Sequence, residues 1–123
     1  MVIDTNIFIQ HLREKNKSGT ILSGLAKQKQ FFITSITLFE LLTGATNDNK
    51  KEDINKLTKG IPILNLDKDS AKIAAEVYLN LKSKNHSIEF RDIFIAAICI
   101  KNDLPLKTLN KKHFERVEGL KVI

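Results

Sequence analysis

The sequence predicts a three-layer α/β/α sandwich with a mostly parallel central sheet, built over residues 1–123 as one domain. Short β-prone runs alternate with segments of helical spacing from end to end, which is the pattern of parallel α/β units. A length of 123 residues suits one core, and a hydrophobic content of 42% can fill it. Repeats, low-complexity tracts and internal linkers are absent from the sequence.

The first element organises the rest. Val2-Ile3 reads as a buried strand ending in Asp4, and a helix starts at once, with Thr5 or Asn6 as its cap and Ile7, Phe8 and Leu12 facing inward. Arg13 to Gly19 is a polar connection. Thr20 to Gln30 carries Ile21, Leu22, Leu25 and Ala26 at helical spacing, and Phe31 to Thr34 reads as a second strand. Ser35 or Thr37 then caps a helix through Leu42 that ends near Gly44.

Asn47 to Lys59 is a polar helix with Ile54 and Leu57 inward, broken by Gly60. Ile61 to Leu66 reads as a strand that Pro62 assigns to the sheet edge or to its own first turn. Asp67 to Lys84 is the longest helix, with Ala71, Ala74, Ala75, Tyr78 and Leu81 as its apolar stripe and Val77 beside it. Asp67 and Asp69 sit at its N-terminus as caps. After a turn at Asn85-His86-Ser87, Asp92 opens the run Ile93 to Ile100, read as a helix buried all round. Leu104 to Thr108 is the next strand, Leu109 to Phe114 a loop and turn, and Leu120 to Ile123 a last strand.

Composition narrows the function. The longest apolar run, Ile93 to Ile100, is too short to span a bilayer. The N-terminus shows neither the basic region nor the cleavage site of a signal peptide. Cys99 is the single cysteine and reads as a small core residue, which excludes a disulfide framework or a cysteine-rich zinc site. A cytoplasmic protein with no membrane partner is expected. Twenty basic residues against 14 acidic ones give a net charge of +6. That excess favours an anionic partner, nucleic acid first, although many of the scattered lysines read equally well as solvated helix faces.

Three acids stand at edges of strongly apolar segments: Asp4, Glu40 and Asp92. Asp4 reads as a helix cap or as a site residue, since α/β sheets place functional groups where strands end and helices begin. Glu40 is flanked by apolar residues and either points to water or needs a cation or a proton. Brought together, three carboxylates ionise only around a cation, and oxygen ligands alone select a hard ion, Mg²⁺ or Mn²⁺. Competing motifs are weaker. The sequence has no Gly-rich phosphate loop and no G-x-S-x-G elbow. His11, His86 and His113 lack zinc spacing and read as surface or loop residues.

These residues carry a resemblance. Val2-Ile3-Asp4-Thr5-Asn6, Ser35 to Gly44, Arg91-Asp92-Ile93-Phe94-Ile95-Ala96-Ala97 and Thr108 to Phe114 look like the ordered signatures of PIN-domain ribonucleases. The compact length and the ending Arg116 to Leu120 look most like the VapC toxins of toxin–antitoxin pairs. The resemblance implies a PIN-like fold and an endoribonuclease using Mg²⁺ or Mn²⁺. It implies Asp4, Glu40 and Asp92 as catalytic acids, with metal held chiefly by Asp4 and Asp92 and by Glu40 directly or through water. Thr5, Asn6 and Ser35 would orient those carboxylates. Many relatives carry a fourth acid where Asn110 stands and another near His113. Asn110 offers a neutral oxygen to position water or substrate but no charge, which leaves the number of metals, one or two, open. The family's habits imply an RNA substrate, a cognate antitoxin protein and a homodimer, and Lys111 and Lys112 are placed on the RNA. Two other readings remain open: an RNA- or protein-binding module of the same fold without turnover, and a metal-dependent phosphatase of small phosphates.

Overall fold

The computed structural model describes residues 1–27 and 30–123. Its strands are short and all pair in parallel. β1 (Val2–Ile3) lies in the middle. On one side it pairs with β4 (Leu106–Lys107), with Val2 opposite Leu106 and Ile3 opposite Lys107. On the other side Val2 bridges Phe32, which leads into β2 (Ile33–Thr34). β2 pairs with β3 (Ile63–Leu64), and Val122 bridges Leu106 beyond β4. The spatial order is therefore β3, β2, β1, β4, then the C-terminal segment. β3 has one strand neighbour among the described residues, which fits Pro62 just before it. The expected last strand is reduced to that single bridge at Val122.

Side-chain alternation along the central strands builds two cores. Val2 and Leu106 face one layer and Ile3 and Ile33 the other, as a period of two requires. On the first face lie α5 (Lys68–Ser83), α6 (Phe90–Lys101) and α7 (Lys111–Phe114). On the second lie α1 (Thr5–Arg13), α2 (Ile21–Ala26), α3 (Ser35–Thr43) and α4 (Asp48–Thr58). The result is the three-layer α/β/α sandwich. Val2, Ile3, Ile7 and Phe8 are fully buried, each contributing about 1.5–3 kcal/mol relative to exposure. That burial fixes the C-terminal end of β1, and so fixes Asp4.

Several local expectations change. Asp4 itself caps α1, accepting from the Thr5 N–H, so neither Thr5 nor Asn6 is the cap. Thr34 caps α3 by accepting from the Thr37 N–H, displacing Ser35 and Thr37 from that role. α2 ends at Ala26 and is capped by Thr20; the expected extension to Gln30 runs through positions 28 and 29, which lie outside the described residues. The polar connection before it holds a 3₁₀ turn, Lys17–Gly19. On α5 the buried stripe is Ser70, Ala74, Val77 and Leu81, while Ala71, Ala75 and Tyr78 are exposed. Spacings of three and four still hold, but the stripe is rotated because α6 claims the Val77 side. Finally, Lys111 to Phe114 is a helical turn where a loop is expected, held inward by buried Phe114.

Among the described residues, no helix is long and apolar enough to cross a membrane. Cys99 is fully buried in α6, as its apolar surroundings require.

Candidate active site

Asp4 sits at the C-terminal end of β1 and is 5% exposed. Its two oxygens have separate partners. Oδ1 accepts from the Thr5 N–H at 2.8 Å, and Oδ2 accepts from the Thr108 hydroxyl at 2.6 Å. Burial raises its carboxyl above the ordinary value; those two hydrogen bonds oppose the rise, and the charges of Asp92 and Glu40 add to it. Asp92 and Glu40, from different helices, thus lie near enough for their charges to act on the group that ends the central strand. The Cys99 thiol, buried and within the field of Asp4, is pushed up to about 12 and is inert.

Glu40 points inward from α3, with a side chain only 17% exposed. Its Oε1 is 3.0 Å from the Thr5 hydroxyl, which itself lies 3.0 Å from the Thr37 hydroxyl. An ionised carboxylate can only accept, so Thr5 donates to Glu40 and takes the proton of Thr37 in turn. Thr34 completes the row, 3.4 Å from the Thr37 hydroxyl. Three buried hydroxyls from β2, α3 and α1 therefore end on one carboxylate. Its other oxygen lies 3.4 Å from Arg91 Nη1.

Asp92 stands in the first turn of α6, where negative charge is favoured. Its Oδ2 lies 3.0 Å from His113 Nε2, and both side chains are about four-fifths covered. With Asp92 ionised, that ring nitrogen must carry the proton. His113 is not the loose surface histidine expected from spacing; α7 turns it onto Asp92. The other loop after β4 is equally ordered. Thr108 accepts from the Asn110 N–H at 3.0 Å and from Asn6 Nδ2 at 3.4 Å, and Asn6 Oδ1 accepts from the Leu109 N–H at 3.4 Å.

Of the residues expected to orient the acids, Thr5 and Asn6 occupy such places, Thr5 on Glu40 and Asn6 on Thr108. The Ser35 side chain is half-buried and has no hydrogen bond among the described residues. Thr37 and Thr34, two residues after it and one before it, make the contacts instead. The Asn110 side chain forms no capping bond, and its contribution is its backbone N–H. Lys111 and Lys112 are exposed on the rim of a surface hollow shared with Lys107, Thr108 and Leu109.

The donor set suits a hard divalent cation. Each Asp4 oxygen retains a lone pair beyond its one hydrogen bond, and burial with two neighbouring acids disfavours its ionised form until a positive charge arrives. The cage is not closed, however. As the side chains are placed, no three His, Cys, Asp or Glu groups among the described residues surround one point. Asp92 and Glu40 each spend an oxygen on His113 and Arg91.

A PIN-domain family model matches residues 1–120. The chain belongs to the PIN-domain family. This PIN domain is 28% identical to Ribonuclease VapC1 of Methanocaldococcus jannaschii over 124 residues, covering 99% of this chain and 85% of that protein. It is 36% identical over 98 residues to Ribonuclease VapC3 of the same organism, covering 79% and 95% respectively. The crystal structure of VapBC2 from Rickettsia felis, bound to a DNA fragment from their promoter, matches it with a TM-score of 0.81 at 26% identity, covering 99% of this chain and 96% of that one.

Within the PIN domain, sequence reasoning missed Thr108, Thr37, Arg91 and His113 as neighbours of the acids. All four stand within the motif segments, Thr108 and Arg91 at the greatest chain distance from the acids they touch. Nothing in their spacing said which acid each would touch, because those contacts cross 104 and 51 positions of chain.

Proposed function

We propose that this chain is a metal-dependent endoribonuclease that cuts RNA phosphodiester bonds and serves as the toxin of a toxin–antitoxin pair. The observation that carries the reading is buried Asp4 at the end of the central strand, within reach of the charges of Glu40 and Asp92 and joined to Glu40 through Thr5, which bonds both. The relatives named as VapC ribonucleases and the basic excess of the chain support it. Asp4 and Asp92, joined by Glu40, would hold Mg²⁺ or Mn²⁺, with Asp92 and Glu40 giving up His113 and Arg91 as partners. Bound there, such an ion supplies Lewis acidity for water attack and offsets charge on the phosphoryl oxygens. Thr5 and Thr108 fix the direction of the carboxylates, and Asn110, with the loop it opens, positions substrate. Lys111 and Lys112 bind the RNA backbone.

The proposed partners are RNA, an antitoxin, for which the VapBC complex provides the precedent, and a second copy of the chain. A half-exposed aromatic group supports self-association: Phe90 packs edge-on to Tyr78 at 5.7 Å and stacks on Phe94 at 6.5 Å. The cytoplasm is the proposed location.

The decisive experiment incubates the purified chain with RNA and Mn²⁺ and sequences the cut ends. Cleavage lost in EDTA, in Asp4→Asn and in Asp92→Asn supports the reading. Cleavage that survives both substitutions removes the site. The second reading, a binding module without turnover, is favoured by one observation: Glu40 and Asp92 already have cationic or donor partners within the chain. RNA bound equally well with and without chelator, and left whole, selects it.

A further inference from the structure

Arg91 enters the scheme so far only as the partner that Glu40 gives up, yet it is an arginine in ion-pair contact with one of the three acids. Its Nε donates to Glu89 at 2.7 Å, and its Nη1 lies 3.4 Å from Glu40 Oε2. The two contacts differ in kind. The first is a short, charge-assisted hydrogen bond to an exposed neighbour on the same segment. The second is loose, well beyond the usual ion-pair hydrogen-bond length, and it reaches into the site. A guanidinium has five N–H donors, so Arg91 keeps donors unspent on the Nη edge while Glu89 holds Nε. Its side chain is 55% exposed, so the guanidinium is within reach of an incoming anion.

We propose that Arg91 is a phosphate ligand for the substrate, held by Glu40 until RNA arrives. The assignment rests on the nuclease reading above and adds a substrate-binding residue to it. A cleft with three acids repels a phosphodiester, and a fork of parallel N–H groups is the side-chain geometry that matches two non-bridging phosphate oxygens. Glu89 anchors the stem so that the Nη edge swings over a short arc, from Glu40 to a phosphate at the mouth. The exchange is favourable because a half-exposed ion pair of this length is weak in water. It also leaves Glu40 free of its cationic partner when the substrate is in place. Glu40 and RNA thus compete for one guanidinium, and that competition has a measurable sign.

The test measures binding of a labelled single-stranded RNA of mixed sequence by fluorescence anisotropy in EDTA, where cutting is suppressed. Arg91→Ala weakens binding about tenfold, as expected for one charge-assisted phosphate contact, and lowers the slope of log K against log salt by about 0.7. Arg91→Lys keeps the slope but recovers only part of the affinity, because the fork is lost. Glu40→Gln tightens binding when Arg91 is present, and this gain disappears in the Glu40→Gln/Arg91→Ala double variant. Arg91 is half-exposed, so its variants should melt as the parent does. RNA that is bound, and cut with Mn²⁺, but is indifferent to Arg91 overturns the assignment and leaves the nuclease reading standing. So does a Glu40→Gln gain of equal size in both backgrounds. A parent chain that neither binds RNA in EDTA nor cuts it with Mn²⁺ overturns both.

Discussion

The Thr108 hydroxyl donates to Asp4 Oδ2 at 2.6 Å, across 104 positions of chain. The bond ties the end of β1 to the end of β4, the two adjacent central strands. It also organises the loop that follows, because the same oxygen accepts from the Asn110 N–H and from Asn6 Nδ2. One hydroxyl therefore sets the direction of the buried acid and the path of the chain toward Lys111.

Thr108→Val should remove all three interactions at nearly constant shape. Leaving the Asn110 N–H and one Asp4 oxygen without that partner should cost about 1–3 kcal/mol, read as a lower urea midpoint with an unchanged slope. Thr108→Ser should recover most of it. Because the Thr108 bond opposes the rise of the Asp4 carboxyl, its loss should also move the acid limb of the cleavage profile to higher pH. A limb that stays in place would show that Asp4 ionisation does not set it.

Asp4 gives a second prediction through linkage. Its folded-state carboxyl lies above its ordinary 3.8, with burial as the first cause. Below that ordinary value both folded and unfolded chains hold the proton, and no stability is at stake. As pH rises from there through the folded value, the unfolded chain releases its proton first, so stability falls and the full loss persists above the window. Asp4→Asn cannot ionise and escapes this loss while keeping a side chain suited to a helix cap. In EDTA, the stability of Asp4→Asn relative to the parent should therefore improve between pH 4 and pH 7, measured by urea unfolding. A difference that is constant with pH would mean that Asp4 is not strained by its surroundings.

The layered architecture was legible because burial on both faces of β1 leaves a run, Val2-Ile3, that polar segments cannot imitate. The helix of α6 was legible for the related reason that Ala96 and Ala97 pack without β-branching. Asp4, Glu40 and Asp92 stood out as charges that apolar neighbours would not tolerate without a partner. What remained hidden were the partners. Thr34, Thr37 and Thr108 look like ordinary strand or helix-end residues, and only the parallel pairing of β1 with β4 brings Thr108 to Asp4. His113 was misplaced because a four-residue helix has too little periodicity to be read, and α7 exists by virtue of Phe114 being buried rather than by any local signal. The α5 stripe failed in a similar way. Alanines at positions 71, 74 and 75 suit either side of a helix, so the neighbour α6 decided which side was covered.

The last prediction concerns the rim. Lys111 and Lys112 open α7, exposed beside the hollow formed with Lys107, Thr108 and Leu109. The two adjacent lysines repel each other and have no ion pair among the described residues, so folding alone does not account for them. An approaching phosphate chain would offset that repulsion. Lys111→Ala/Lys112→Ala should therefore leave stability equal to the parent's or slightly higher, while weakening RNA binding. For single-stranded RNA the loss of two phosphate contacts should reduce the slope of log K against log salt by about 1.4. Each lysine acts as a point charge, so arginine replacements should restore that slope. An unaltered slope alongside weakened binding would move these lysines off the RNA path and assign their effect to the shape of the loop that Thr108 holds.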